Sequence, residues 1–218
     1  MRDAMRRHET SRDFPPGGTS ADQRCAPRFT QLIRAAKLTS ADAEFLCIVR
    51  DASETGVSVR LFHPLPPHVA LTLEMPSGDR LAVDLVWESE GKAGFRFREP
   101  VEIGRIIEAR GPFPKRPVRV RLEIPCKLIL GDRRVGAMVI NLSQQGALVS
   151  TQEPLSLIQR VRIDAEGLPE IAARVRWRRN GEYGLSFEDT FQFAELAAVA
   201  FELQRDAAPG RLVSAQAR

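Results

Sequence analysis

The sequence is poor in the residues that most often build metal sites and disulfide frameworks. Its 218 residues include only three cysteines and three histidines. Cys25, Cys47 and Cys126 are odd in number and scattered, so they form neither a metal-ligand pattern nor a set of disulfides. Because Cys47 and Cys126 lie in apolar runs, we expect both to be buried thiols, in keeping with a reducing cytoplasm.

Catalytic motifs are also missing from the chain. The sequence contains no Ser/His/Asp or Cys/His arrangement, no Gly-rich phosphate loop and no obvious pair of acids. His63 and His68 lie in a proline-rich segment, which we interpret as a surface connection and not as a pair of metal ligands. We therefore expect a protein that is not an enzyme and that holds no metal and no cofactor.

Long apolar runs are absent as well. No run is long enough to cross a bilayer, and the polar N-terminus has no signal-peptide core, so we predict a cytoplasmic protein without a transmembrane segment. The net charge of +4 suits an anionic partner without identifying it. Nucleic acid is not the partner we expect, because the basic excess is modest and most aromatic residues occupy strand positions typical of a core.

One short stretch occurs twice in the chain. Residues 51–56 and 141–146 both read Asp/Asn-x-Ser-x-x-Gly, and each lies between two apolar runs of strand type. One copy alone is typical of an ordinary β-turn, in which glycine permits tight backbone geometry. The copies are 90 residues apart, and the same offset relates three further pairs: Trp87 and Trp177, Gly94 and Gly184, and Phe97 and Phe187. This repetition predicts a duplicated domain.

Basic residues precede both copies of the turn. Arg24 and Arg28 have an Arg-x-x-x-Arg spacing, and Lys115, Arg116 and Arg119 occupy the equivalent place in the second half. This spacing, followed by Asp/Asn-x-Ser-x-x-Gly, resembles the PilZ family, whose members are receptors for cyclic di-GMP. The resemblance covers about 22–108 and 113–205, which is most of the chain.

The resemblance and the turn signals predict a mainly β fold of two tandem six-stranded antiparallel β-barrels, each followed by a C-terminal α-helix. We place a disordered arm at 1–21, the first barrel domain at 22–110, the second at 111–205 and a disordered tail at 206–218. Strands are predicted at 29–38, 44–50, 56–62, 69–75, 81–87, 93–98, 118–130, 134–141, 146–151, 157–163, 171–177 and 184–187. Helices are predicted at 101–109 and 190–205, the second with an apolar stripe of Phe193, Leu196, Ala197, Ala200 and Leu203.

The resemblance implies a cyclic di-GMP site in the first domain formed by Arg24, Arg28, Asp51, Ser53 and Gly56. Arginine suits this ligand because its planar group binds phosphate and the acceptor edge of guanine. The Asp51 carboxylate can accept from guanine N–H groups, and the Ser53 hydroxyl can bind phosphate or backbone. Gly56 would let the chain turn tightly and a flat ligand approach.

The second site is less complete. The resemblance implies that it consists of Lys115, Arg116, Arg119, Asn141, Ser143 and Gly146. Lys115 occupies the position of the first arginine, and lysine keeps the charge but loses the planar fork. Arg116 is adjacent and can substitute for it by a shift of one residue. We therefore expect the first domain to bind more tightly than the second.

Two functions remain open from the sequence. The first is a signalling receptor that changes its conformation and protein interactions on binding cyclic di-GMP, for example by ordering the linker between the domains. The alternative is a degenerate PilZ-like adaptor that binds protein partners without nucleotide. In both cases we expect a separate protein partner, which the resemblance places in motility, exopolysaccharide or attachment machinery.

Overall fold

The structure, a computed structural model, describes residues 32–107 and 117–207. Its strands form two closed antiparallel barrels of six strands each, which confirms the predicted architecture. The predicted arm and most of the predicted tail lie outside the described residues. Among the residues described, no helix is both long enough and apolar enough to span a bilayer.

The strands of the first barrel are β1 Arg34–Thr39, β2 Glu44–Ala52, β3 Gly56–Leu61, β4 Leu71–Glu74, β5 Arg80–Ser89 and β6 Lys92–Phe97. Their order in the barrel is β1-β2-β3-β6-β5-β4, and β4 closes it by pairing with β1. Buried residues alternate with less buried ones along β3 and β4, as expected when one face of a sheet lines a core. A short helix, α1 Gly104–Ile107, follows β6.

The strands of the second barrel are β7 Val120–Leu130, β8 Arg133–Ser143, β9 Gly146–Ser150, β10 Arg160–Asp164, β11 Ile171–Arg179 and β12 Glu182–Phe187. They repeat the order of the first barrel as β7-β8-β9-β12-β11-β10. The helix α2, Phe193–Ala207, ends the described chain. Its predicted apolar stripe is confirmed, since Leu196, Ala197, Ala200 and Leu203 are buried and Phe193 packs against the core.

The predicted strands all exist, and the differences lie at their ends. β2 and β8 each run two residues beyond their predicted ends, to Ala52 and Ser143. β10 begins at Arg160 and not at Leu157, because Ile158 has a positive φ of 67° and the segment before it turns. The described part of the first helix is one turn, and the predicted residues 108 and 109 lie outside the described chain.

The duplication extends to irregular backbone. β-bulges interrupt β2 before Asp51 and β8 before Asn141, and β5 and β11 are each bulged just before their tryptophan. Positive φ values also recur at the same offset, at Glu90 (50°) and Asn180 (51°) and at His68 (57°) and Ile158 (67°). A bulge re-aims the side chains that follow it, so both halves present their Asp or Asn in the same way.

Both barrels have apolar interiors, and the predicted burial of Cys47 and Cys126 is confirmed. Burial raises the pKa of the Cys47 thiol far above its usual value. Burial also raises the pKa of Cys126, to about 11. Both thiols therefore stay protonated and unreactive near neutral pH.

The two barrels contact each other through β2, the segment after β3, and α2. Leu46 of β2 is buried in the core cluster of the second barrel. Phe62 meets Phe193 with ring centroids 5.6 Å apart. The His63 ring stacks on Phe201 at 4.3 Å. The His63 segment is the predicted connection between two strands, but it does more than connect them, because the His63 ring also helps to join the barrels.

The hairpin turns of the two barrels predict a difference in stability. Glu90-Gly91 and Asn180-Gly181 both have two consecutive positive φ values, the conformation for which hairpins favour Asn-Gly. Glutamate is held there against a steric cost of about 1 kcal/mol. We expect Glu90→Asn to raise the free energy of unfolding by up to about 1 kcal/mol and Asn180→Glu to lower it similarly. Urea denaturation measures both, and equal stabilities in all three proteins would contradict the explanation.

The His63 contact predicts a loss of stability in mild acid. Burial lowers the pKa of His63 below its ordinary value of 6.5, partly offset by its contact with the Pro64 carbonyl. The unfolded chain therefore takes up this proton first, so stability should fall as the pH drops below about 6.5. We expect His63→Phe, which preserves an aromatic stack on Phe201, to lose less stability than the parent between pH 7.5 and 5.5. Thermal unfolding at both pH values measures the difference, and His68→Gln serves as the control.

Candidate functional site

The repeated turns are built by their serines. In the first barrel the Ser53 amide donates to the Gly56 carbonyl at 2.8 Å, and the Gly56 amide donates to Ser53 Oγ at 3.2 Å. In the second barrel Ser143 Oγ donates to the Gly146 carbonyl at 3.0 Å, and Ser143 is only 1% exposed. Both hydroxyls therefore bond backbone, one of the two roles that the sequence allowed for Ser53.

The two glycines are needed for close packing and not for left-handed backbone. Neither Gly56 nor Gly146 has a positive φ. A Cβ at Gly56 would lie 2.7 Å from the Phe95 carbonyl oxygen, and a Cβ at Gly146 would overlap the Leu185 carbonyl. Each glycine thus lets its strand approach the neighbouring strand of the barrel. The expectation that glycine serves a tight turn is corrected in this respect.

The side chains at the first position of each turn have different partners. Ser58 Oγ donates to Asp51 Oδ2 at 2.5 Å. Arg119 Nη1 donates to Asn141 Oδ1 at 2.9 Å. The structure therefore brings Arg119 and Asn141 together, two residues that the sequence assigns to one site. Arg24, Arg28, Lys115 and Arg116 lie outside the described residues.

A row of residues crosses the outside of each barrel from this position to a tryptophan. The first row is Asp51, Ser58, Gly94 and Trp87, and the second is Asn141, Leu148, Gly184 and Trp177. In each row, every residue is paired in the strand register with the next one. The first row crosses β2, β3, β6 and β5, and the second crosses β8, β9, β12 and β11. Because paired strands are about 4.8 Å apart, each turn lies roughly 10 Å from its glycine.

Each tryptophan lies against the glycine of its row. A Cβ at Gly94 or Gly184 would overlap the indole ring of Trp87 or Trp177. Both tryptophans are nevertheless 45% exposed, so each presents a flat aromatic surface to solvent. The expectation that most aromatic residues lie in the core is therefore wrong for Trp87 and Trp177. An exposed indole is a surface on which a nucleobase can stack.

The tryptophans are functional candidates that the sequence reasoning used only as markers of the repeat. The available signal was the pairing of a tryptophan with a glycine at the same spacing in both halves, from Trp87 to Gly94 and from Trp177 to Gly184. Recognising it required the strand register, because only the register places each indole over the glycine of the neighbouring strand.

The charges around the two rows differ. Three exposed cations on β3 and β6 flank the first row: Arg60, Lys92 and Arg96. The equivalent positions in the second barrel hold Ser150, Glu182 and Ser186. There the arginines lie on the tryptophan strand β11, as Arg174, Arg176 and Arg178. Arg174 is paired with Glu188 at 3.1 Å. The first row therefore has its cations on the strands between turn and tryptophan, whereas the second has them on the strand that carries its tryptophan.

The arrangement is suited to binding a ligand that combines charge with flat rings. Each row joins a hydrogen-bonding side chain, an extended strand surface and an exposed indole. Within the described residues, no group of three or more His, Cys, Asp or Glu could hold a metal ion.

Comparison with known proteins gives a family match for the second barrel. Residues 114–200 match the family model described as the PilZ domain. No curated protein gives a significant sequence match.

Several solved structures are similar over most of the chain, at low identity. PlzA of Borreliella burgdorferi, solved in complex with c-di-GMP, is 12% identical, with 79% of this chain and 88% of that chain covered and a TM-score of 0.35. The motility inhibitor MotI/DgrA of Bacillus subtilis is 12% identical, with 83% and 99% covered and a TM-score of 0.34. YcgR of Escherichia coli, in complex with c-di-GMP, is 14% identical, with 80% and 85% covered and a TM-score of 0.31.

The packing of indole on glycine can be tested by fluorescence, since the chain has only two tryptophans. In a Trp177→Phe background, emission comes from Trp87 alone. We expect Gly94→Ala to shift this emission to the red, because the new Cβ displaces the ring into solvent. Gly184→Ala in the same background is the matched control and should leave the emission unchanged. An unshifted spectrum for Gly94→Ala would show that Trp87 does not rest on this glycine.

Proposed function

We propose that the chain, whose residues 114–200 match the PilZ domain model, is a receptor for cyclic di-GMP. Binding of this ligand changes the conformation of the protein and its contacts with another protein. The chain acts by binding and not by catalysis. The buried free thiols of Cys47 and Cys126 are in keeping with a cytoplasmic location.

The observation that carries the proposal is the contact between Arg119 and Asn141 beside the β8–β9 turn. The 2.9 Å hydrogen bond holds a guanidinium next to an amide at one end of the second row. Arg119 binds phosphate in this proposal, with Lys115 and Arg116 from the segment before it. Asn141 can donate to and accept from a guanine edge, and Trp177 offers its exposed ring for base stacking.

The first barrel supplies a second site of different character. Asp51 accepts from the N–H groups of guanine, Trp87 stacks, and Arg24 and Arg28 bind phosphate. The exposed cations Arg60, Lys92 and Arg96 favour an anionic ligand at this row. They support the expectation that the first domain binds more tightly, whereas the family match supports the second domain.

Ligand at the second site acts on the junction between the barrels. Arg119 precedes β7, the first strand of the second barrel, and the segment that carries Lys115 and Arg116 joins the two domains. In this proposal, cyclic di-GMP binds Lys115, Arg116 and Arg119 together and so orders the junction. The orientation of the two barrels then depends on whether the second site is occupied. A partner protein of the motility, exopolysaccharide or attachment machinery then binds one orientation of the barrels in preference to the other.

Calorimetric titration with cyclic di-GMP tests the proposal and ranks the sites. We expect Asp51→Ala and Asn141→Ala each to weaken one class of site by about 10- to 100-fold, because each removes a paired contact to guanine. Asp132→Ala, at an exposed position between β7 and β8, is the matched control and should bind like the parent. Cyclic di-AMP should bind weakly, because adenine presents a donor where guanine presents an acceptor.

The same titration decides between the domains. A larger loss of affinity in Arg24→Ala than in Lys115→Ala would assign the tighter site to the first barrel, and the reverse would assign it to the second. No heat of binding in the parent would refute the receptor proposal. The adaptor alternative would then be tested by a search for protein partners.

A further inference from the structure

A largely buried ion pair of the first barrel lies where the two barrels meet. Lys37 Nζ is 3.0 Å from Glu44 Oε1 and 3.4 Å from Glu74 Oε1. The side chains of Lys37 and Glu44 are only 11% and 21% exposed. Solvent screens such a pair less than it screens an ion pair on the open surface.

Both members of this pair reach across to the second barrel. Lys37 Nζ donates to the Arg119 carbonyl at 3.1 Å. The Arg121 amide donates to Glu44 Oε2 at 2.9 Å. Two backbone groups at the start of β7, one just before the strand and one within it, are therefore held by two side chains of the first barrel. Hydrogen bonds of this kind, in which one partner is charged, are the stronger ones.

The second barrel also fixes Glu44 from its other side. The Glu44 amide donates to Gln204 Oε1 at 2.8 Å, and Gln204 Nε2 donates to the Glu44 carbonyl at 2.9 Å. Gln204 belongs to α2, so Glu44 is clamped between the last helix and the first strand of the second barrel. Its carboxylate therefore has a defined position from which to hold Arg121.

The segment held in this way carries the proposed second site. Arg121 pairs with Asn141 in the strand register, and the Arg119 side chain donates to Asn141 Oδ1 at 2.9 Å. A continuous set of contacts thus runs from Lys37 and Glu44, through the backbone of 119–121, to the guanidinium and amide that would meet the ligand.

The ion pair of Lys37 and Glu44 has no counterpart at the equivalent positions of the second barrel. The positions 90 residues later hold Lys127 and Arg134, which cannot form an ion pair with each other. Instead, Arg134 Nη1 lies 3.8 Å from Asp164 Oδ2 of the same barrel. Lys37 and Glu44 are therefore not required by the barrel fold, which both halves form, and their arrangement calls for a role at the junction.

We propose that Lys37 and Glu44 are positioning residues for the second cyclic di-GMP site, an inference that rests on the proposed function. They do not touch the ligand. They hold the backbone at Arg119 and Arg121 so that the Arg119 guanidinium meets Asn141 before ligand arrives. Because coupling between two events is reciprocal, ligand that binds Arg119 and Asn141 also strengthens the docking of the two barrels.

The first measurement is the affinity of the second site in the full chain. Asp51→Ala is introduced throughout to weaken the first site, and cyclic di-GMP is titrated calorimetrically. We expect Glu44→Ala to weaken binding about tenfold, the effect of losing one hydrogen bond to a charged group. Glu44→Gln should weaken it less, because the amide oxygen still accepts from the Arg121 amide. Glu170→Ala, which removes an exposed ion pair with Arg162 at 2.9 Å, is the matched control and should bind like its parent.

The second measurement is hydrogen–deuterium exchange, which reports on docking with and without ligand. We expect Glu44→Ala to speed exchange in residues 117–124 without ligand, whereas Glu170→Ala does not. Addition of cyclic di-GMP should slow exchange in residues 44–50 in the parent and less in Glu44→Ala. This response at a distance would not follow from a purely structural ion pair.

The outcomes separate this inference from the proposed function. Absence of binding in the parent refutes the receptor itself and the inference with it. Binding that Glu44→Ala leaves unchanged overturns only the positioning role. Equal losses in Glu44→Gln and Glu44→Ala also overturn that role, because the acceptor for Arg121 would then be irrelevant. In an Asn141→Ala background, titration measures the affinity of the first site. If Glu44→Ala weakens the first site as much as it weakens the second, the positioning role is also overturned, because such a loss would indicate general destabilisation.

Discussion

The close approach of a backbone carbonyl to a glycine in each barrel is the constraint on which the rest of the structure depends. Gly56 faces the Phe95 carbonyl and Gly146 faces the Leu185 carbonyl. These contacts seat β3 on β6 and β9 on β12, and they do so at the first residue after each turn. The turn, the row across the strands and the indole at its far end are thereby fixed relative to one another, and any ligand site on this surface inherits that rigidity.

The sequence was sufficient for the parts of the fold that repeat a local pattern. Alternating residues such as Val57, Val59 and Leu61 revealed a strand, and the offset of 90 residues revealed the duplication. The row from Asn141 to Trp177 could not be predicted, because its members come from four strands and are brought together only by register. The role of His63 at the junction was missed for the same reason, since Phe201 is far along the chain.

The two halves share their backbone plan and differ in their charges. Arg60, Lys92 and Arg96 correspond to Ser150, Glu182 and Ser186, although the strand order is the same. Exposed positions on a barrel carry little of its stability, because the core is formed by the opposite face of each strand. The outer surfaces were therefore free to diverge, and one fold offers two electrostatically different surfaces to ligands and partners.

The shared hairpin and loop geometry has a consequence for how such barrels evolve. His68 and Ile158 adopt the same left-handed backbone at equivalent positions, although a β-branched residue disfavours it. The Ile158 amide donates to the Val175 carbonyl at 2.9 Å, which ties this loop to β11. The two halves therefore keep a left-handed residue at the same place in this loop although its identity differs. At this loop the position of the backbone irregularity, and not the identity of the residue, marks the correspondence between the two barrels.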